Sequence, residues 1–313
     1  MEYIKWGDKE VSRVGFGTWV IGGNDWGLQS DSDSIDALRE GIRRGFTHID
    51  TAQAYGHGHA EELIGKVISK HREKLFIASK TVCRPPHKIE QAVQLSLRRM
   101  KSDYLDLYYI HWPSSRIELA PVMEILQKLK SQGLIRAVGV SNFSVAQMVD
   151  CMRAGPIDVH QLCYSLLWRW AERDVLPYCK ENRIKTITYS TLAQGILTGK
   201  FPRTIVFDNA DHRHSTVFFE SDVWPHVYNA VAEMQKVAHH ESVSLASLAV
   251  QWVLQKETVI SSLVGARNAL QARKNVSLLD HKASDSALKQ LTEISDAVMM
   301  HIPDTGNIFR YYP

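Results

Sequence analysis

Short apolar runs alternate with helix-length amphipathic segments along this chain, and few folds accommodate that rhythm. The apolar runs are Val14–Trp19, Thr47–Asp50, Leu75–Lys80, Leu105–His111, Ile135–Val140, Val159–Leu162, Lys185–Tyr189 and Val259–Val264. Among them lie Asp33–Arg44, His59–Lys70, Ile89–Met100, Leu119–Ser131, Val145–Arg153, Ala171–Glu181, Ser244–Gln255 and Asp285–Val298. In the first of these Ile35, Leu38 and Ile42 recur three and four residues apart, and in the third Val93, Leu97 and Met100 do the same. That spacing gives a helix one apolar face. Strand and helix in strict alternation require parallel strands joined by right-handed crossovers. Eight such strands close a barrel, whereas an open doubly wound sheet usually has fewer.

The expected fold is therefore an α/β protein, an (α/β)8 TIM barrel, with residues 1–313 forming a single domain, a length within the range of closed barrels. A β-hairpin precedes it: Tyr3–Trp6, a turn at Gly7-Asp8, then Glu10–Arg13. One connection is long. Residues 190–223, including GILTGKFPRTIVFDNADHRHST, separate Tyr189 from a helical pattern that starts near Trp224. Loops of that length are usually functional, and this one follows the seventh strand, on the face where such barrels keep their chemistry. The tail HIPDTGNIFRYYP is aromatic and has no helical period.

Composition closes several classes. A net charge of +3 without long like-charge runs gives nucleic acid nothing to bind. No stretch approaches the roughly 18 apolar residues of a membrane span, and the opening MEYIKWGDKEV is no secretory signal. Cys83, Cys151, Cys163 and Cys179 have no paired spacing, so a reduced, cytoplasmic setting is expected. HGH at 57–59 and HRH at 212–214 have a metal-like look. Metal pairs of that spacing belong on strands, where i and i+2 share a face, and these sit in loops. No metal is expected. Nothing in the sequence fixes an oligomeric state.

Reactive side chains of a barrel gather where strands end. Reading those ends in order gives Asp50, Lys80 and His111, with Tyr55 following in DTAQAYGHG. Each alone has an ordinary explanation: a cap, a surface lysine, a loop histidine. Together, a carboxylate, an ammonium, an imidazole and a phenol form a proton-transfer set. Asp50 would compensate the Lys80 charge. Lys80 would lower the Tyr55 pKa from its usual value near 10. His111 would orient a substrate oxygen and Tyr55 would protonate it.

The segments HIDTAQAYGHG, AEELIGK, FIASK, DLYYIHWP, IRAVGVSNF, QLCYSLLWR and TYSTLAQGILTGKF resemble the aldo-keto reductases. The resemblance is to the bacterial branch related to inositol-utilisation oxidoreductases, and more distantly to potassium-channel β subunits, and it covers essentially residues 1–300. It implies a catalytic tetrad of Asp50, Tyr55, Lys80 and His111. It also implies NADP(H) as cofactor, bound without a Rossmann domain; no GxGxxG follows the first strand. By the same resemblance Ser141, Asn142 and Gln161 hold the nicotinamide carboxamide, and the ring stacks on Tyr189. Ser190, Leu192, Gln194, Gly195, Leu197 and Lys200 cover the pyrophosphate, and Gly17, Thr18 and Trp19 line the pocket beside Asp50. Gly265, Arg267, Gln271 and Asn275 match the adenosine-phosphate site, with Arg267 expected to serve the 2′-phosphate. Relatives often carry an acid before that asparagine, where this chain has Lys274.

The function so implied is NADPH-dependent reduction of an aldehyde, ketone or sugar-like carbonyl, with Tyr55 as general acid and a small-molecule carbonyl substrate. The pocket walls are expected to include Trp19, Tyr55, His111 and Trp112. Two alternatives belong to other classes. One is an NADPH-binding regulatory subunit with slow catalysis, against which the missing long N-terminal segment counts. The other is a metal-dependent barrel hydrolase, against which the loop placement of the histidines counts.

Overall fold

The computed structural model describes residues 1–23, 26–207 and 211–311. Asp208, Asn209 and Ala210 of the long connection, and Tyr312 and Pro313 of the tail, lie outside the described residues. A hairpin of β1 (Tyr3–Trp6) and β2 (Lys9–Ser12) comes first. Eight parallel strands then close a barrel: β3 (Val14–Gly17), β4 (His48–Asp50), β5 (Phe76–Thr81), β6 (Leu107–Ile110), β7 (Val138–Ser141), β8 (Val159–Cys163), β9 (Lys185–Tyr189) and β10 (Val259–Gly265). They stand in chain order around the barrel, and β10 closes it against β3 with Gly265 opposite Gly17.

The helices around it are α1 (Asp31–Arg43), α2 (His59–Gly65), α3 (Pro86–Met100), α4 (Leu119–Ser131), α5 (Val145–Met152), α6 (Val175–Glu181), α7 (Trp224–His240), α8 (Leu245–Leu254), α9 (Ala269–Val276) and α10 (Asp285–Met299). Their starts are written in local chemistry. The Ser30 hydroxyl accepts from the Asp33 amide, so α1 begins two residues before its apolar period suggests. Ser144 and Gln147 form a reciprocal capping box on α5. α6 starts at Val175 instead of Ala171, because the Asp174 carboxylate takes the Val175 amide and residues Trp170–Glu172 make a separate short turn. α2 stops at Gly65, well short of Lys70. There it packs so near α3 that a Cβ on Gly65 would lie 2.4 Å from the Arg99 carbonyl oxygen.

Two apolar layers result. The larger lies between barrel and helices, where Ile77, Tyr108, Ile110, Val138 and Val140 meet the helix faces. The smaller fills the barrel interior with Phe76, Ala78, Leu107, Tyr109, Val159, Ile187 and Leu263, and the hairpin adds Val11, Ile4 and Trp6. The hairpin thus seals the amino-terminal mouth. Period-two alternation along β5 sends Phe76, Ala78 and then Lys80 inward while Ile77 points out, and this is what places a lysine inside the barrel. No described helix is long and apolar enough to cross a membrane, and all four cysteines are free thiols.

Candidate active site

Asp50 ends β4, Lys80 is the next-to-last residue of β5, and His111 follows β6 directly. Asp50 and Lys80 are buried. The Lys80 ammonium donates to the Asp50 carboxylate, and to the Thr51 carbonyl oxygen at 2.8 Å. Gln161 on β8 donates to the other Asp50 oxygen at 2.8 Å. A buried ion pair survives only when its remaining polar atoms are served, and these two bonds serve them.

Tyr55 opens a short turn, Tyr55–Gly58, between β4 and α2. The turn is held by close backbone contact with the first βα loop. A Cβ on Gly56 (φ +57°) would fall 1.4 Å from the Gly22 carbonyl oxygen, so only glycine fits. Trp19 stacks on the Tyr55 ring at 6.1 Å, and His111 meets it edge-on at 5.9 Å. The Lys80 nitrogen lies 5.2 Å from the ring centre.

The electrostatics correct one sequence-based expectation. Lys80 does not lower the Tyr55 pKa. Burial, reinforced by the Asp50 charge, pushes the phenol well above its ordinary value, because the Lys80 charge is spent on Asp50. Burial, with the Lys80 charge, holds His111 well below the usual imidazole range. Tyr55 is therefore a neutral donor and His111 a neutral imidazole over the physiological range. The buried His111 Nδ1 has no hydrogen-bond partner among the described residues.

These groups open into one cavity of about 960 Å³ that runs from Asp50, Tyr55 and His111 to Arg267 and Asn275. Of the sequence-derived candidates it is lined by Gly17, Thr18, Trp19, Asn142, Gln161, Tyr189, Ser190, Leu192, Gln194, Gly195, Lys200, Gly265 and Gln271 as well. Lys80, Ser141 and Leu197 are buried behind its wall. Tyr189 donates to the Asn142 amide oxygen at 2.6 Å, and Asn142 donates to the His111 carbonyl oxygen at 3.0 Å. That chain ties three strand ends together. Asn142 (φ 64°), Ser190 (φ 52°) and Gln194 (φ 58°) all hold left-handed backbone, a strain that gathers at binding sites.

Sequence reasoning missed part of the wall. Trp26, Arg213, Phe309 and Tyr311 also line the cavity. Phe309 meets Trp19 edge-on at 5.5 Å, and Tyr311 meets Trp112 at 5.1 Å. The aromatic tail carried the signal without a period to place it. Of the histidine pairs, His59 Nε2 lies 2.6 Å from the Asp31 carboxylate, and His214 Nδ1 lies 2.5 Å from the Asp211 carbonyl oxygen. No cluster of three or more His, Cys, Asp or Glu suited to a metal occurs among the described residues.

A closed parallel barrel with a buried Asp–Lys pair, a neutral phenol and a neutral imidazole at its carboxyl-terminal mouth defines an oxidoreductase of the barrel class. The Aldo/keto reductase family pattern matches residues 13–296, and the chain belongs to that family. Aldo-keto reductase YhdN of Bacillus subtilis is 37% identical over 282 residues, 85% of each chain. The NADH-specific methylglyoxal reductase of Escherichia coli is 32% identical, spanning 93% of this chain and 97% of that one. Among solved structures, a glycerol dehydrogenase from Gluconobacter oxydans superposes with a TM-score of 0.86 at 32% identity, covering 96% of both chains. An aldo-keto reductase from Klebsiella pneumoniae in complex with NADPH gives 0.75 at 28% identity, covering 96% of this chain and 94% of that one.

Proposed function

We propose that the chain is an NADP(H)-dependent carbonyl reductase in which Tyr55 is the general acid. The observation that carries this reading is the half-buried neutral phenol beside a neutral His111 and the buried Lys80–Asp50 pair, at the mouth of an elongated cavity. The cavity fits a dinucleotide by its donor set. Amide groups of Asn142 and Gln161, with the Ser141 hydroxyl behind the wall accepting from Asn142, suit a carboxamide, which needs donors and acceptors. The Tyr189 ring offers a stacking face. Ser190, Leu192, Gln194, Gly195, Leu197 and Lys200 would enclose the pyrophosphate, and Gly265, Arg267, Gln271, Asn275 and Lys274 border the adenosine end.

A bound reduced nicotinamide supplies the hydride. The chain's own residues do the rest. His111 donates a hydrogen bond to the carbonyl oxygen and fixes its direction, and Tyr55 delivers a proton to that oxygen as negative charge develops. The phenol is a weak acid here, but the developing alkoxide is a stronger base than phenolate, so the transfer runs downhill. Lys80, held by Asp50, lies 5.2 Å from the ring centre and fixes the floor of the pocket beneath it. Trp19, Trp26, Trp112, Phe309 and Tyr311 give the mouth an aromatic lining against which a substrate would pack. NADPH oxidation measured across a panel of aldehydes, ketones and sugar-like carbonyls, with and without EDTA, tests the reading. Chelator-insensitive turnover of at least one carbonyl supports it, whereas absence of turnover across the panel, or turnover that needs added zinc, contradicts it.

A further inference from the structure

The adenosine end of the cavity has two cations on one short stretch of chain, and they are not equivalent. Arg267, just after β10, makes four side-chain hydrogen bonds, all to the first βα loop. It donates to the Gln29 side-chain oxygen at 2.8 Å, to the Trp26 carbonyl at 2.9 Å and to the Gly27 carbonyl at 3.2 Å. A further bond reaches the Leu28 carbonyl oxygen. Gln29 answers with its own amide to the Arg267 carbonyl at 2.8 Å. A guanidinium has five N–H donors, so Arg267 has almost nothing left to offer an anion. Its neighbours are committed too: Gln271 accepts from the Arg267 backbone amide at 2.8 Å, and Asn275 donates to the Gly265 carbonyl at 2.9 Å.

Lys274 is different. It sits in the last turn of α9, is exposed, and borders the same cavity. Its ammonium has no hydrogen bond and no acid partner among the described residues, whereas Arg273 beside it pairs with Glu40 at 2.8 Å. The loop that Arg267 grips also reaches the far side of the groove, where Trp26 pairs with Asp211 of the long connection.

We infer that Lys274, and not Arg267, distinguishes NADPH from NADH by reading the ribose 2′-phosphate, and that Arg267 is a positioning residue that latches segment Trp26–Gln29 across the groove. The inference rests on the nicotinamide-nucleotide reading of the cavity. It separates two effects. A point charge that serves only the phosphate changes the affinity for one cofactor. A latch that shapes the groove changes both, and acts before either arrives.

The test uses dissociation constants for NADPH and NADH by fluorescence titration on the wild type, Lys274→Met, Arg267→Met and Arg267→Lys. Hydrogen exchange of residues 26–29 is measured without cofactor. Wild type prefers NADPH, and the preference shrinks as salt screens an exposed charge. Lys274→Met weakens NADPH about tenfold, the scale of one lost charge-assisted contact, and leaves NADH unchanged. Arg267→Met speeds exchange in segment 26–29 and weakens both cofactors by similar factors. Arg267→Lys does the same, since one ammonium cannot span several carbonyls. Equal cofactor affinities in the wild type overturn the inference, as does a selective NADPH loss in Arg267→Met with exchange unchanged, or no cofactor effect in Lys274→Met. A wild type that binds neither nucleotide defeats instead the function proposed above, and is distinguishable from all of these.

Discussion

The phenol that carries the proposed chemistry owes its position to residues that never meet a substrate. Gly56, His57 (φ 55°) and Gly58 (φ +98°) follow Tyr55 in succession, each with left-handed backbone. Arg99 on α3 pins this turn by donating to the His57 carbonyl oxygen at 2.9 Å. Arg99 is held by the buried Glu61 carboxylate at 3.0 Å, and Glu61 also accepts from Ser79, the residue before Lys80, at 2.7 Å. One carboxylate thus links the turn of Tyr55 to the strand of Lys80. Arg99→Met should lower kcat on a good aldehyde by about tenfold, as misplacement of a catalytic group does, while NADPH affinity stays near wild type. A fall in cofactor affinity equal to that in kcat would point to general loosening of the barrel instead.

Residues 55–58 also mark where sequence reading stops. That Tyr55 comes close to Lys80 and His111 was legible from its place after a strand end. Its geometry was not, because it depends on Gly56 meeting Gly22, which is remote in sequence. The protonation balance was misjudged for a related reason: strand ends reveal which charges are near, and say nothing of how fully Asp50 absorbs Lys80.

At the level of elements, alternation and apolar period located every barrel strand to within a few residues, because each strand must present one face inward and one to a helix. The ends were less legible where they rest on tertiary contact, as at Gly65, or on a cap outside the apolar period, as at Ser30. The hairpin was legible as a hairpin, but its purpose was not. Lys9 of β2 reaches under the barrel to Asp106 at 2.7 Å and the Leu75 carbonyl at 2.5 Å, and Arg72 holds the same carboxylate at 2.8 Å. Arg72 and Arg136 sandwich the Tyr104 ring at 3.9 and 4.0 Å. Lys9→Met removes one of the three cations around a buried acid, Arg72 and Arg136 being the others, so stability should fall by about 2 kcal/mol. Chemical denaturation checks this. Because the pair lies at the mouth opposite Tyr55, kcat of the folded variant should be unchanged, and a lowered kcat would show that the hairpin communicates with the site.

For the molecule as a whole, buried histidines set the acid limit. Burial, with the Lys80 charge, brings His48 down to about 3, and burial brings His160 down to about 3 as well. Both are neutral when folded and take up protons when unfolded, so their contribution is complete above an ordinary imidazole pKa of about 6.5. As pH falls from there toward about 3 the unfolded chain binds protons that the folded one refuses. Stability should drop by about 1.4 kcal/mol per pH unit for each histidine. His48→Gln should lessen that slope between pH 6 and pH 4, and a slope identical to wild type would contradict the assignment. Over the same range Tyr55, raised by burial, keeps its proton, so reduction should lose no activity to ionisation of the phenol at neutral pH.

The most direct measurement is single-turnover NADPH oxidation by Tyr55→Phe on a carbonyl that the wild type reduces, with NADPH affinity determined in parallel. The substitution keeps the ring against Trp19 and His111 and removes only the hydroxyl. The expected result is a rate lower by roughly 10²–10⁴-fold, the worth of a positioned acid, at nearly unchanged cofactor affinity. A variant that oxidises NADPH at close to the wild-type rate would contradict the assignment of Tyr55 as the proton donor.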